Sequence, residues 1–264
     1  MKRLIVVFIS VAFILMGCQE EGILDKKYEP EAIEHAQVVG LGDSLTQGVG
    51  DEEDLGGYFG RVTKRLSEVE HVEQLHVVNF AKRGRTSKQL LKQLKENEEV
   101  RTQLKEADLI AFTIGGNDIM AVMKQHLFDL TKQPFEEEAP KFKKRLHQIL
   151  KELEQLNPKA TIVLTGIYNP VNLVTTEELE FASIIEEWNE DMEEVMAEKP
   201  EHRLFVRIDD VQYSSNPDVY LTNYFHPNAE GYTFIAENWF QQLLQWNERR
   251  EEPLLWLMEV KEDE

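Results

Sequence analysis

Gln37-Val38-Val39-Gly40-Leu41-Gly42-Asp43-Ser44-Leu45-Thr46-Gln47-Gly48 joins an apolar run to a glycine turn and a serine. Within Ala36 to Leu41, Val38, Val39 and Leu41 form a short apolar run of the kind that makes a buried strand. The glycines let the backbone turn sharply where that strand ends. Ser44 then stands at the start of the next helix, where free N–H groups and the helix dipole favour negative charge. A hydroxyl held there can attack a carbonyl and leave the resulting oxyanion beside ready-made donors. Taken alone, Gly-Asp-Ser fits a plain turn with a serine helix cap equally well.

The same alternation recurs outward from this segment. Strands are expected at Gln37–Leu41, Leu75–Asn79, Asp108–Ile114, Thr161–Gly166 and Leu204–Ile208. Amphipathic helical stretches separate them: Tyr58–Glu70, with Phe59, Val62, Leu66 and Val69 on one face, then Ser87–Leu104, Phe142–Leu156 and Glu177–Glu198, with a last helix over Pro227–Trp246. Short buried strands alternating with helices call for an α/β fold, a parallel sheet covered on both faces. Ligands of such sheets bind beyond the carboxyl ends of the strands. Ser44, Gly84 and Asn117 all fall just past such ends, on three different strands.

Three further segments sharpen the reading. Asn79-Phe80-Ala81-Lys82-Arg83-Gly84 follows the second strand, and Gly115-Gly116-Asn117-Asp118 follows the third. His226-Pro227-Asn228 opens the last helix, with proline expected at its favoured first position. With Gly-Asp-Ser at 42–44, these blocks, in this order and spacing over residues 36–245, resemble the four signature blocks of the SGNH hydrolases, the GDSL lipase/esterase family. The resemblance implies a flavodoxin-like three-layer α/β/α sandwich with a five-stranded parallel sheet. It implies Ser44 as nucleophile and His226 as general base, then acid. It also implies an oxyanion hole made by the Ser44 and Gly84 N–H groups and the Asn117 amide. One position departs from the pattern: Asn223 stands three residues before the histidine, where the family usually carries aspartate. An asparagine oxygen can orient the ring without bringing charge; a backbone carbonyl or Asp218 are the other candidates for that third role. Asp43 and Asp118 read as structural acceptors for loop N–H groups.

The start of the chain carries an address. Met1-Lys2-Arg3 is basic, and Leu4 to Met16 is an almost wholly apolar run of about 13 residues, short for a membrane span and suited to a signal-peptide core. Leu15-Met16-Gly17-Cys18 resembles a bacterial lipoprotein signal, which implies acylation of Cys18, the only cysteine in the chain. A plain signal peptide with an incidental cysteine is the other reading. The expected organisation is a lipoprotein signal peptide over 1–17, a lipid-anchored tether over 18–35, the hydrolase domain over 36–250 and an acidic tail over 251–264. The protein is thus expected outside the cell membrane, held by its N-terminal lipid alone. Its net charge of −20 argues against nucleic acid as a partner.

Carboxylic-ester hydrolysis on lipid-like or short acyl substrates is the favoured function, and deacetylation of cell-wall or polysaccharide sugars is the nearest alternative. Ile119, Met120, Met123, Leu127 and Phe128, with Tyr168, Pro170, Val171 and Leu173, could line an acyl groove. Lys82, Arg83 and Arg85 beside Gly84 could bind an anionic substrate group, or simply face solvent, the reading preferred. From other classes, a non-catalytic ligand-binding lipoprotein would not require Ser44, Gly84, Asn117 and His226 together, and a flavodoxin-type nucleotide binder gives His226 no role. No cofactor and no metal are expected, the histidines being scattered and the cysteine single. The apolar stretch 253–260 could pack back on the domain, which is the default, or meet a membrane or a partner.

Overall fold

The computed structural model of the chain describes residues 33–126, 131–169, 176–208 and 226–257. Five parallel strands form one sheet in the order β2-β1-β3-β4-β5. They are β1 (Ile33–Gly42), β2 (Val72–Asn79), β3 (Leu109–Thr113), β4 (Thr161–Thr165) and β5 (Arg203–Val206). Every residue of β3 and β4 is buried, as strands covered on both faces must be. The helices are α1 (Ser44–Gln47), α2 (Gly57–Leu66), α3 (Ser87–Glu96), α4 (Glu98–Lys105), α5 (Gly116–Gln125), α6 (Gln133–Leu156), α7 (Thr176–Ala197) and α8 (Ala229–Glu248).

Two apolar layers sandwich the sheet. On one face Val39, Leu41, Ile110 and Phe112 pack against α3 to α7, with Phe142 stacked on Trp188 at 4.7 Å between ring centres. On the other, Val38, Leu109, Ala111 and Val163 pack against α2 and α8, where Tyr58, Tyr232 and Trp239 are buried. Trp256 and Leu257 join this second layer, so the start of the apolar C-terminal stretch lies on the domain itself. Asn247 holds it there, accepting from the Leu254 N–H at 2.7 Å and donating to the Leu254 carbonyl at 3.1 Å. Residues 258–260 of that stretch lie outside the described residues.

Four helices differ from the expectation. The one expected over Tyr58–Glu70 stops at Leu66, where the Ser67 hydroxyl donates to the Lys64 carbonyl at 2.6 Å. The single helix expected over Ser87–Leu104 is two, because Asn97 is extended and its side chain accepts from the Val100 N–H, capping α4 where α3 stops. The helix expected from Phe142 starts at Gln133 instead and carries Pro140 inside, since Phe135 extends the buried face and meets Phe181 edge to face. Pro227 is not the first helical residue: Asn228 is the N-cap, accepting from the Gly231 N–H at 2.9 Å, and α8 begins at Ala229.

Candidate active site

The strand order sets the site. Because β1 lies between β2 and β3, the loops leaving these three strands converge at one end of the sheet, the crevice where open parallel sheets bind ligands. The chain leaves β1 through Gly42, in the left-handed region at φ +95°. A Cβ at that position would sit 1.9 Å from the Thr113 carbonyl oxygen of the neighbouring strand, so the turn requires glycine. Asp43 follows as N-cap of α1, its carboxylate accepting from the Leu45 N–H at 3.1 Å. Ser44 is thereby the first residue of the helix, buried at 7 % exposure and facing a cavity.

A chain of buried polar groups braces this turn from beneath. Thr113 Oγ1 donates to Asp43 at 2.6 Å and meets Thr46 Oγ1 at 2.9 Å; Thr46 meets the Tyr58 hydroxyl at 2.9 Å. Thr165 and Trp239 Nε1 extend it across to β4 and α8. Burial pushes the Asp43 carboxyl up from its ordinary range, and the bonds from Thr113 and Leu45 partly offset that. The same burial pushes the Tyr58 hydroxyl up to about 12, so it stays a protonated link in the chain.

The loop after β2 is bound to the same turn. Lys82 N–H donates to the Gly42 carbonyl at 3.0 Å, Arg83 N–H to Gln47 Oε1 at 2.6 Å, and the Arg85 guanidinium to the Gly42 and Phe80 carbonyls. Arg85 is therefore a half-buried brace and does not simply face solvent, whereas Lys82 and Arg83 are exposed as expected. Gly84 sits at φ +79° with open space around its Cα. Its requirement for glycine is conformational, not steric.

Asn117 lies in the first turn of α5. Its amide donates to the Arg85 carbonyl at 3.1 Å and reaches Asp43 at 3.5 Å, which places it between the two other loops. Asp118 anchors the same turn, accepting from the Ser87 N–H at 2.8 Å, the Ser87 hydroxyl at 2.6 Å and Arg145 at 3.2 Å. Both aspartates thus serve as the acceptors expected of them. Arg145, Ser87 and Thr46 carry no signal in the sequence that marks them for this role.

His226 enters from the chain leading into α8. Its ring is buried and lines the same cavity as Ser44 and Asn117. Burial, and secondarily the positive charge of Arg83, bring its pKa down to about 4. The cavity, about 60 Å³, is otherwise largely apolar, walled by Ile119, Met120, Ile167, Tyr168, Phe181 and Ile185. Tyr168, Ile119 and Met120 stand where an acyl groove was expected. Met123 instead packs into the core beneath, and Phe181 and Ile185 of α7 are additional walls. Asn223, Asp218, Leu127, Phe128, Pro170, Val171 and Leu173 lie outside the described residues, as does Cys18.

The model of the GDSL-like Lipase/Acylhydrolase family matches residues 41–234, the span that holds every element of this site. The chain belongs to that family. The uncharacterized protein YpmR of Bacillus subtilis (strain 168) is 34% identical to this GDSL-like chain over 248 residues, 91% of this chain and 96% of its own. Among solved structures, the lipase Lip_vut3 from a goat rumen metagenome superposes with a TM-score of 0.70 at 21% identity, covering 83% of this chain and 99% of its own. Axe2, an acetylxylan esterase from Geobacillus stearothermophilus, superposes at 0.60 and 20% identity, covering 81% and 95%. At those identities the two structures establish the shared three-layer fold. Family membership makes this chain one of the esterase/lipase-type hydrolases.

Proposed function

We propose that this GDSL-like chain is a serine hydrolase of short-chain carboxylic esters, working through an acyl-enzyme on Ser44. The observation that carries the reading is one cavity holding Ser44, Asn117 and His226 against an apolar wall. His226, neutral at pH 7, takes the Ser44 hydroxyl proton as Oγ bonds to the acyl carbon. The Ser44 and Gly84 N–H groups and the Asn117 amide receive the charge that develops on the carbonyl oxygen. An oxyanion would displace the long 3.5 Å contact of Asn117 with Asp43 and keep the shorter one to Arg85 that aims the amide. The carbon–oxygen bond to the alcohol then breaks, the imidazolium returns its proton to that alcohol, and water repeats the sequence to free the acid. Asn223 is assigned to hold the ring through its side-chain oxygen.

Cavity size supports the short-chain assignment. The space between the described walls is small, about 60 Å³, which favours an acyl group of a few carbons. The same observation favours deacetylation of sugars as the second reading, since an acetyl group is all the cavity must take. Tether and address belong to the proposal as well: Cys18 is lipid-modified and holds the enzyme on the outer face of the membrane. Among the described residues no helix is long and apolar enough to cross one.

A p-nitrophenyl ester series from acetyl to long acyl, run beside Ser44→Ala, tests the activity. Rates peaking at acetyl to butyryl and vanishing in the variant are expected; a long-chain optimum would refute the cavity argument, and activity surviving in the variant would refute the nucleophile. Cys18→Ala should release the full chain from membranes, and unchanged retention would refute the anchor.

A further inference from the structure

The proposed oxyanion donors are divided between two cavities that differ in kind, Ser44 and Asn117 lining one and Gly84 the other. The apolar one holds Ser44, Asn117 and His226. The other, about 630 Å³ and strongly polar, begins at the Lys82-Arg83-Gly84 loop and follows α3 to the α3–α4 junction. An ester whose carbonyl oxygen reaches Gly84 must direct its acyl group to one side and its alcohol to the other. The apolar cavity takes the acyl group, which leaves the polar groove for the alcohol.

Charge is distributed unevenly along that groove. Lys82 and Arg83 stand at its catalytic end, while Glu96 and Glu98 lie at the far end, with Lys92 paired to Glu96 at 3.7 Å. The Arg85 guanidinium is committed to backbone carbonyls, but Lys82 and Arg83 make no ion pair among the described residues. Two adjacent exposed cations beside Gly84 give this end of the groove a local positive charge in a chain of net charge −20. Their backbone is held in place, since the Lys82 and Arg83 N–H groups are both bonded to the Ser44 turn. Arg83 is also near enough to His226 to depress its pKa. Gln89, Gln93 and Asn97 line the groove wall between the two charged ends, giving it amide groups that suit a hydroxylated ligand.

We propose that this groove is the leaving-group subsite, and that it selects alcohols that are polyols carrying an oxyanion, phosphate or carboxylate, which Lys82 and Arg83 bind beside Gly84. The inference rests on the hydrolase reading for its chemistry, though the groove can be tested without turnover. A guanidinium and an ammonium side by side match either oxyanion, the guanidinium in two-pronged fashion and the ammonium as a point charge.

Three esters of one size make the test: O-acetylglycerol 3-phosphate, O-acetylglycerate and neutral monoacetylglycerol. Wild type at low ionic strength should favour an anionic ester over the neutral one in kcat/KM by about tenfold, a preference that shrinks with added salt. The phosphate and carboxylate arms show which oxyanion is preferred. In the Lys82→Gln/Arg83→Gln variant the ratio should fall to about one. Any shift of the His226 pKa on losing Arg83 acts on all three esters alike and cancels in that ratio. Both residues are exposed, so the variant should melt like wild type. No preference in wild type, or one that survives the double substitution, overturns the proposal. Calorimetric binding of the esters to Ser44→Ala separates the two readings. If no ester is turned over while the anionic ones bind more tightly, and lose that advantage with the two cations, the groove assignment stands and the hydrolase reading fails. Equal binding of all three overturns the groove.

Discussion

The buried state of His226 makes the pH profile the most discriminating measurement. A histidine in water titrates near 6.5, whereas here burial and the Arg83 charge bring it to about 4. At pH 5 a ring with pKa 4 is about nine-tenths neutral, and one with pKa 6.5 is only about 3% neutral, so the two cases differ roughly 30-fold in competent base. The acid limb of kcat/KM for p-nitrophenyl acetate should therefore lie well below pH 6, with most of the activity retained at pH 5. Arg83→Gln should move that limb upward, because a positive neighbour that opposes protonation has gone. The sign for stability is the same. The folded pKa lies below the unfolded value, so the unfolded chain binds the extra proton between about pH 4 and 6.5, and the ring's contribution is lost as pH falls through that window. An acid limb near pH 6.5 would overturn the burial argument, since that is the value of a solvated ring. A limb clearly above 6.5 would place a carboxylate against the ring, stabilising the imidazolium, and would return Asp218 to the third role.

Other perturbations test the scaffold and the site separately. Asn117→Ala removes one oxyanion donor and should lower kcat by about 10²–10³ with little change in KM or melting temperature; an equal rise in KM would mean the amide binds ground-state substrate. Gly42→Ala forces a Cβ to 1.9 Å from the Thr113 carbonyl at φ +95°, and should cost about 3 kcal/mol or more in urea unfolding. Asp118→Ala leaves the buried Ser87 N–H and hydroxyl without their acceptor, while Arg145 keeps Glu138, and should destabilise by about 1–3 kcal/mol, with activity falling as α5 loosens and not through loss of chemistry. Asn223→Asp places a charge where the ring is proposed to be held and should raise the acid limb; an unmoved limb would separate residue 223 from His226.

The sheet was legible in the sequence because its inner strands are buried on both faces and so read as unbroken apolar runs. Leu109–Thr113 and Thr161–Thr165 show this most plainly, and only their ends shift by a residue. Ser44, Gly84 and Asn117 were legible because each follows a strand end, and one topology brings three strand ends together. What escaped was settled by partners distant in the chain or by local competition. Asn97 breaks a helix whose apolar period continues through it, since a side-chain cap there outweighs one more turn. Arg85 reads as a surface charge beside Lys82 and Arg83 until the Gly42 and Phe80 carbonyls are brought under it. The polar chain from Asp43 to Trp239 joins residues up to 107 positions apart at a single step. Its one sequence trace is the threonine ending both β3 and β4, and Thr113 and Thr165 are register partners.

The same burial that keeps His226 neutral also makes it a weak base, and the rest of the site answers that weakness. A ring of pKa near 4 draws a proton from serine less strongly than one supported by a carboxylate, and on the proposed reading its partner Asn223 is neutral. The deficit must then be met where charge develops on the substrate, and there the fold is rigid. Each of the three proposed oxyanion donors is held through its own backbone or loop: Ser44 through the Asp43 cap, Gly84 through bonds from Lys82 and Arg83 to the Ser44 turn, and Asn117 through Arg85. Donors fixed before the reaction stabilise an oxyanion without reorganising, which is where electrostatic catalysis is strongest. Asp43 contributes by position: its burial is tolerated because Thr113 and the Leu45 N–H satisfy it, and it holds the turn on which the other donors depend. On this view the loss of the usual aspartate moves the burden from the base to the oxyanion hole.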